Sequence, residues 1–281
     1  MRSVAHISDL HFGRLDREVL RGLREELAST RPDLIVVSGD LTQRARVHEF
    51  QAAREFLDSL PGPQIVVPGN HDLSPLYSFA RWRTPLARYL RHITADLQPF
   101  YADEEIAAIG INTARATMVK GGRINRQQVI RACERLSGAP PQGTRIIVTH
   151  HPFDLPLNGE GAIVGRARMA MAGFALCRVD LFLSGHLHVS HTGPTATRYQ
   201  ISGYSALIVE AGTAVSTRVR GEFNSWNLLQ IEPGGVVIRR FTWDGGQARF
   251  GVTQTDSYRR GPEGWATGET TAPVPERRIA T

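Results

Sequence analysis

The sequence predicts an α/β fold with two sheets. Strand-like and helix-period runs alternate over residues 1–72 and again over 106–188, and short strand-like runs replace helical periodicity after residue 188. Polar side chains suited to metal ions recur where the apolar runs end.

Val4 to Ser8 reads as a strand leading into Asp9-Leu10-His11, after which Val19, Leu20, Leu23 and Leu27 recur at the spacing of one helix face. Arg31-Pro32 stops that helix. Leu34-Ile35-Val36-Val37 is an unbroken apolar run, as expected of a strand covered on both faces, and it ends in Ser38-Gly39-Asp40. A second helix follows on Val47, Phe50, Phe56, Leu57 and Leu60, closed by Pro61-Gly62-Pro63. The third strand, Gln64 to Val67, delivers Gly69-Asn70-His71-Asp72, which puts an amide oxygen, an imidazole and a carboxylate on one short turn.

Over residues 75–105 the pattern changes. Phe79, Trp82, Leu86, Leu90 and Ile93 lie three or four apart with Arg81, Arg83, Arg88 and Arg91 between them, and Pro85 interrupts the run. An ordinary helix packing one face on the core is the first expectation. A cap beside the site and a membrane-surface contact are the functional alternatives.

The alternation resumes with a strand from Ile106 to Ile111 and a helix capped by Asn125 that carries Val129, Ile130, Cys133 and Leu136. Arg145 to Thr149 is the next buried strand and ends in His150-His151. A helix from Arg166 to Cys177 precedes Leu181-Phe182-Leu183, which runs into Gly185-His186-Leu187-His188. Runs near His191 to Gln200, Ser205 to Ala211, Ser225 to Ile231 and Val236 to Thr242 read as antiparallel strands of a second sheet, with Gly234-Gly235 as a hairpin turn. Residues 254–281 are rich in Pro, Gly, Thr and charge, so one domain of residues 1–253 followed by a flexible tail is expected.

The formal charge of +6 comes from arginine almost alone, Lys120 being the single lysine. Those arginines are dispersed and no DNA-binding region is appended, which argues against a nucleic-acid partner. Cys133 and Cys177 lack metal-ligand spacing and sit among apolar residues, so two free buried thiols and a reducing compartment are expected. No run approaches the ~18 apolar residues of a membrane span, and the start carries no signal-peptide apolar stretch; a cytoplasmic protein is expected.

The residues at strand ends are Asp9, His11, Asp40, Asn70, His71, His150, His186 and His188. In α/β sheets the crevice beyond the carboxyl ends of the strands is where ligands bind. Carboxylate, amide and imidazole form a mixed ligand set that suits manganese, iron or zinc and lacks the thiolates of a structural zinc site. There are too many for one ion, so two ions sharing one carboxylate is the economical arrangement.

The blocks Asp9-x-His11, Gly39-Asp40, Gly69-Asn70-His71-Asp72, His150 and Gly185-His186-x-His188, in this order, resemble the calcineurin-like metallophosphoesterase superfamily over residues 4 to about 188. The resemblance implies a four-layer α-β-β-α sandwich of two mixed β-sheets flanked by helices, with a dinuclear metal site at the strand C-terminal ends. It implies that Asp9, His11 and His188 bind one ion, that Asn70, His150 and His186 bind the other, and that Asp40 bridges them. His71 is then a catalytic residue at the leaving group, oriented by Asp72, with Asn70, His71 and His188 contacting substrate.

Two divalent or trivalent ions (manganese, iron or zinc) are the implied cofactors, and they bring the pKa of bound water to about 7, which supplies a hydroxide nucleophile. The His-Ile-Ser-Asp-Leu-His start and Gly-His-Leu-His end are similar to the branch that hydrolyses cyclic nucleotides and glycerophosphodiesters, so a small phosphodiester is the expected substrate. A nucleotide-lipid pyrophosphohydrolase, a phosphomonoesterase, a nuclease and a non-catalytic scaffold are the alternatives. The family's range also leaves a homodimer open. In this setting the cap alternative for residues 75–105 would bring its arginines to a phosphorylated substrate. His6 is expected in the core, His151 and His191 either behind the ligands or as ordinary polar residues, and Asn112 and Arg115 either near the phosphate or merely shaping a loop.

Overall fold

The computed structural model describes residues 1–75, 78–140, 142–156, 161–218 and 221–271. Strand β1 (Arg2–Ile7), helix α1 (Arg17–Thr30), β2 (Leu34–Val37), α2 (Val47–Asp58) and β3 (Gln64–Val66) come in the expected order. Then follow α3 (Phe79–Arg83), α4 (Ala87–His92), β4 (Phe100–Ala102), β5 (Ile106–Gly110), α5 (Arg126–Leu136), β6 (Thr144–Val148), α6 (Ala167–Leu176) and β7 (Leu181–Ser184). The described chain ends with β8 (His191–Pro194), β9 (Leu207–Glu210), β10 (Ser225–Glu232), β11 (Gly235–Asp244), β12 (Arg249–Gly261) and β13 (Gly264–Thr271).

The strands form two mixed sheets, in the orders β13-β12-β11-β10-β1-β2-β3 and β4-β5-β6-β7-β9-β8. Val4, Leu34, Val36, Ile65, Ile146, Val148, Leu181 and Leu183 pack between them, so these strands are apolar on both faces because both faces are covered. Outside the first sheet lie Val19, Leu23 and Leu27 of α1 with Phe50, Phe56 and Leu57 of α2. Outside the second lie Val129 and Leu136 of α5 with Met171 and Phe174 of α6. The result is the four-layer α-β-β-α sandwich. Caps fix where helices begin: Asp16 accepts from the N–H groups of Glu18 and Val19, and Asn125 from that of Gln128. Among the described residues no helix is long and apolar enough to cross a membrane.

Several expectations are corrected. Strands β10 to β13 extend the first sheet through the β1–β10 antiparallel pair instead of forming a sheet of their own. Strand β9 pairs antiparallel with β8 as expected, but it also runs parallel to β7, which joins the pair to the second sheet. The flexible tail does not begin at residue 254, because β12 and β13 pair as far as Thr271 and bury Tyr258 and Trp265. Residues 272–281 of that expected tail lie outside the described residues.

Residues 79–93 are not one helix packed by its apolar stripe, since Pro85 separates α3 from α4. Leu86, Tyr89 and Ile93 face the core, whereas Phe79 and Trp82 are 76% and 62% exposed. Arg81 is the buried member of α3, and its guanidinium donates to the carbonyls of Ser74, Ala116 and Met118.

Cys133 and Cys177 are not free thiols. They form a disulfide that joins the C-terminal parts of α5 and α6, across 44 residues of sequence. Side-by-side packing of two helices brings their Cα atoms to 5.5 Å, a neighbourhood that linear spacing does not reveal. Paired in this way, the two cysteines do not point to a reducing compartment.

Candidate metal centre

Strands of both sheets deliver the site. The loops after β1, β2 and β3 carry Asp9, His11, Asp40, Asn70 and His71, and those after β6 and β7 carry His150, His186 and His188. The loops are laced together: the Asp9 N–H donates to the Gly39 carbonyl, that of His11 to the Asp40 carbonyl, and that of Gly185 to the His150 carbonyl. A Cβ on Gly69 would collide with the Asp40 carboxylate, and one on Gly185 with Ser8 and Asp9. Glycine at these two places lets the loops close. Asp9, His11, Asp40, His186 and His188 all hold φ between 48° and 76°, a backbone region that costs an L-residue roughly 1 kcal/mol or more.

Two groups of ligand atoms result. In the first, Nε2 of His188 lies 3.2 Å from Oδ1 of Asp9 and 3.3 Å from Nε2 of His11, which is 3.8 Å from Oδ2 of Asp40. In the second, Nε2 of His150 lies 3.2 Å from Oδ1 of Asn70, 3.2 Å from Nδ1 of His186 and 3.4 Å from Oδ1 of Asp40. Asp40 therefore gives one oxygen to each group. Two atoms that both coordinate one ion at 2.0–2.2 Å stand roughly 2.8–3.6 Å apart, which brackets most of these separations.

The hydrogen bonds behind the rings fit a cation between them. Nδ1 of His188 faces the Arg218 carbonyl at 2.7 Å, Nδ1 of His150 the Ser38 carbonyl at 2.8 Å, and Nδ1 of His11 the Thr42 carbonyl at 3.4 Å. A carbonyl can only accept, so each Nδ1 carries the proton and each Nε2 turns a lone pair inward. Those lone pairs meet carboxylate and amide oxygens, which are also acceptors. Asp9 Oδ1 is buried with no hydrogen-bond partner, while its Oδ2 accepts from the Ser8 hydroxyl and the His186 N–H. Acceptors converging in a dry pocket repel unless positive charge lies between them. Without metal the site must take up a proton: burial disfavours charged His150, yet the Asp40 and Asp9 carboxylates and the Ser38 carbonyl raise it to about 9. The donor set fits two metal ions.

His71 has a different environment. Its N–H donates to Asp40 Oδ1 at 2.8 Å, its ring Nδ1 meets the Gln43 carbonyl at 2.8 Å, and its Nε2 lies 2.9 Å from Nη1 of Arg218. Asp72 does not orient this ring. Its carboxylate accepts from the N–H groups of Leu41, Thr42 and Gly69 and from the Thr42 hydroxyl, which ties the Asp40 loop to the Asn70 turn. Neighbours on a tight 3-10 turn point in different directions, so adjacency in sequence misled the assignment.

Of the other candidates, His6 is buried against the Ser38 hydroxyl and His191 is half-buried on the edge strand β8. His151 stands closer to the centre than expected, with its ring 4.6 Å from that of His186 and its Nδ1 on the Thr113 hydroxyl. Arg115 shapes its own loop through the Asn112 and Ala114 carbonyls and Gln128. Arg218 and Lys120, which line the cleft over the centre with His71 and His188, were missed because nothing in sequence marks them.

A four-layer α/β sandwich with a two-ion ligand cage at its strand ends defines the metallophosphoesterase class. The chain belongs to the calcineurin-like phosphoesterase family, whose model matches residues 2–190. It is 30% identical over 168 residues to glycerophosphodiester phosphodiesterase GpdQ of Enterobacter lignolyticus, covering 54% of this chain and 58% of that one. Identity is 26% over 162 residues to the 3′,5′-cyclic adenosine monophosphate phosphodiesterase CpdA of Escherichia coli K12, again 53% of this chain and 55% of that one. The chain thus spans little more than half the length of these two relatives. A probable cyclic nucleotide phosphodiesterase of Synechococcus aligns over 261 residues at 22% identity, 86% of this chain and 92% of that one. Among solved structures, the purple acid phosphatase PPD1 of yellow lupin matches in fold with a TM-score of 0.64 at 12% identity, covering 89% of this chain and 52% of that one.

Proposed function

We propose that the protein hydrolyses small phosphodiesters with the help of two metal ions. The observation that supports this best is the division of Asp40 between two ligand groups, Oδ1 beside His150 and Oδ2 beside His11. Asp9, His11 and His188 would hold one ion, Asn70, His150 and His186 the other, with Asp40 common to both. The chemistry such ions supply is positive charge toward phosphoryl oxygens and the acidification of water.

The chain's own residues orient the rest. His71, Asn70 and Arg218 line the open side of the cage, where a phosphate ester entering the cleft would meet them. Gln43 holds the His71 ring at Nδ1, so once Arg218 has exchanged its hydrogen bond for one to substrate, Nε2 is open to take up a proton from water and pass it to the leaving oxygen. Water is kept from the ligands themselves, since Asp9, His11, Asp40 and His150 are almost wholly buried. The three curated relatives described above are phosphodiesterases by name, which supports a diester over a monoester.

The test is turnover by manganese-loaded protein of bis(p-nitrophenyl) phosphate, 3′,5′-cyclic AMP, glycerophosphodiesters and p-nitrophenyl phosphate. Diesters are expected to exceed the monoester in kcat/KM by tenfold or more. Preference for the monoester, or no turnover of any diester with both ions bound, would overturn the proposal.

A further inference from the structure

A second cleft of about 470 Å³ adjoins the metal centre and shares Asn70, His71, Lys120 and Arg218 with it. Six cationic side chains line it, Arg44, Arg46, Arg81, Arg88, Lys120 and Arg218, and no acidic one does. Among the described residues Arg44, Arg46, Arg81, Arg88 and Lys120 make no ion pair, although arginines elsewhere do so at Asp58, Asp154 and Asp180.

The six divide by what their heads touch. Arg81, buried, ties the Ser74 carbonyl to those of Ala116 and Met118 and so fixes the loop that carries Lys120. Arg88 donates from Nη1 to the Ala45 carbonyl at 2.7 Å and so holds the loop that carries Arg44 and Arg46. The same loop is braced from below, where Glu49 accepts the N–H groups of both arginines. Arg44, Arg46 and Lys120 are thereby presented exposed around one concavity by buried or half-buried supports.

Such a wall exceeds what one scissile phosphate needs. Two divalent ions held by the cage would outweigh its two aspartates, enough to neutralise a singly charged diester there. Like charges held together repel, and an anion entering between them removes that repulsion. Guanidinium and ammonium groups converging in a concave site are suited to phosphate oxygens.

Resting on the diesterase reading, we propose that this cleft binds a second phosphate group of the substrate. The substrate class is then a small phosphodiester or phosphoanhydride that carries a further phosphate on the side of the scissile bond next to His71. Arg44, Arg46 and Lys120 are the groups that contact it, and Arg81 and Arg88 are positioning residues.

Competitive inhibition of bis(p-nitrophenyl) phosphate turnover, paired with calorimetric binding, tests this with adenosine 3′,5′-bisphosphate against adenosine 5′-monophosphate as probes. In the manganese-loaded wild type the bisphosphate is expected to bind at least about tenfold more tightly, the order of one or two charge-assisted hydrogen bonds. In Arg44→Ala/Lys120→Ala that advantage should shrink below threefold, and Arg44→Lys/Lys120→Arg should restore it. Metal content and melting temperature verify that the variants are folded. Equal binding of the two probes by wild type, or an advantage that survives the alanine pair, overturns the inference while diester turnover still stands. Absence of turnover removes the hydrolase reading, and the calorimetric comparison then still decides the cleft.

Discussion

Arg218 donates from Nη1 to Nε2 of His71 at 2.9 Å, joining residues 147 positions apart over the mouth of the metal centre. The Gln43 carbonyl holds the other ring nitrogen at 2.8 Å. The imidazole is thus fixed at both ends, and the end that faces substrate is the one whose partner can be exchanged.

His71→Ala should therefore slow hydrolysis of an alkyl diester by about 100-fold or more, the usual range for a general acid. A p-nitrophenyl diester, whose leaving group needs no proton, should lose far less. Steady-state kinetics on the two esters decides, and equal losses would remove the acid role.

Asp40→Ala removes the carboxylate that faces both ligand groups. Metal analysis after dialysis should show binding of at least one ion lost, and turnover should fall to background. A variant that keeps two tightly held ions and wild-type turnover would contradict the bridging arrangement.

Asp72→Ala should act on stability first. Four donors, the N–H groups of Leu41, Thr42 and Gly69 and the Thr42 hydroxyl, lose their acceptor in a buried place. At about 1–3 kcal/mol for an unsatisfied buried group, several kcal/mol are at stake before relaxation. Chemical denaturation with saturating manganese measures this. If Asp72→Asn instead reproduced the leaving-group dependence of His71→Ala at wild-type stability, Asp72 would have the orienting role after all.

Glu210 gives a pH prediction. Both of its oxygens are buried without a hydrogen-bond partner, and burial, then the Asp154 charge, hold its carboxyl well above the usual range, with Arg198 opposing. The folded state thus keeps a proton that the unfolded chain releases near pH 4.5, so stability is lost as pH rises from there toward the raised value. In Glu210→Gln that loss should vanish, and its melting temperature relative to wild type should increase from pH 4.5 to pH 8. A constant difference across that range would show that Glu210 is charged in the fold.

Most of the centre was legible because each ligand follows a short apolar run, and the end of a buried strand is a position that sequence shows directly. Asp9, Asp40 and His150 are examples, each within three residues of such a run. What was not legible depends on tertiary direction. The Cys133–Cys177 bond needs the packing of α5 on α6. Strand β13 hid because, among its described side chains, Trp265 is the one buried anchor in a polar run at the sheet edge. Arg81 reads as the polar side of an amphipathic helix, but Pro85 breaks that helix and turns the guanidinium inward. Arg218 belongs to no motif, and its meaning comes from its contacts with His71 and His188.

The left-handed backbone at Asp9, His11, Asp40, His186 and His188 places two demands on the same letters of the sequence. Aspartate and histidine tolerate that conformation better than most residues, and glycine and asparagine adopt it readily. A descendant that abandoned its ions would be released from the ligating atoms but not from the bend of the chain. Its substitutions there would collect in glycine and asparagine, and the shape of the loops would outlast the catalysis they once served.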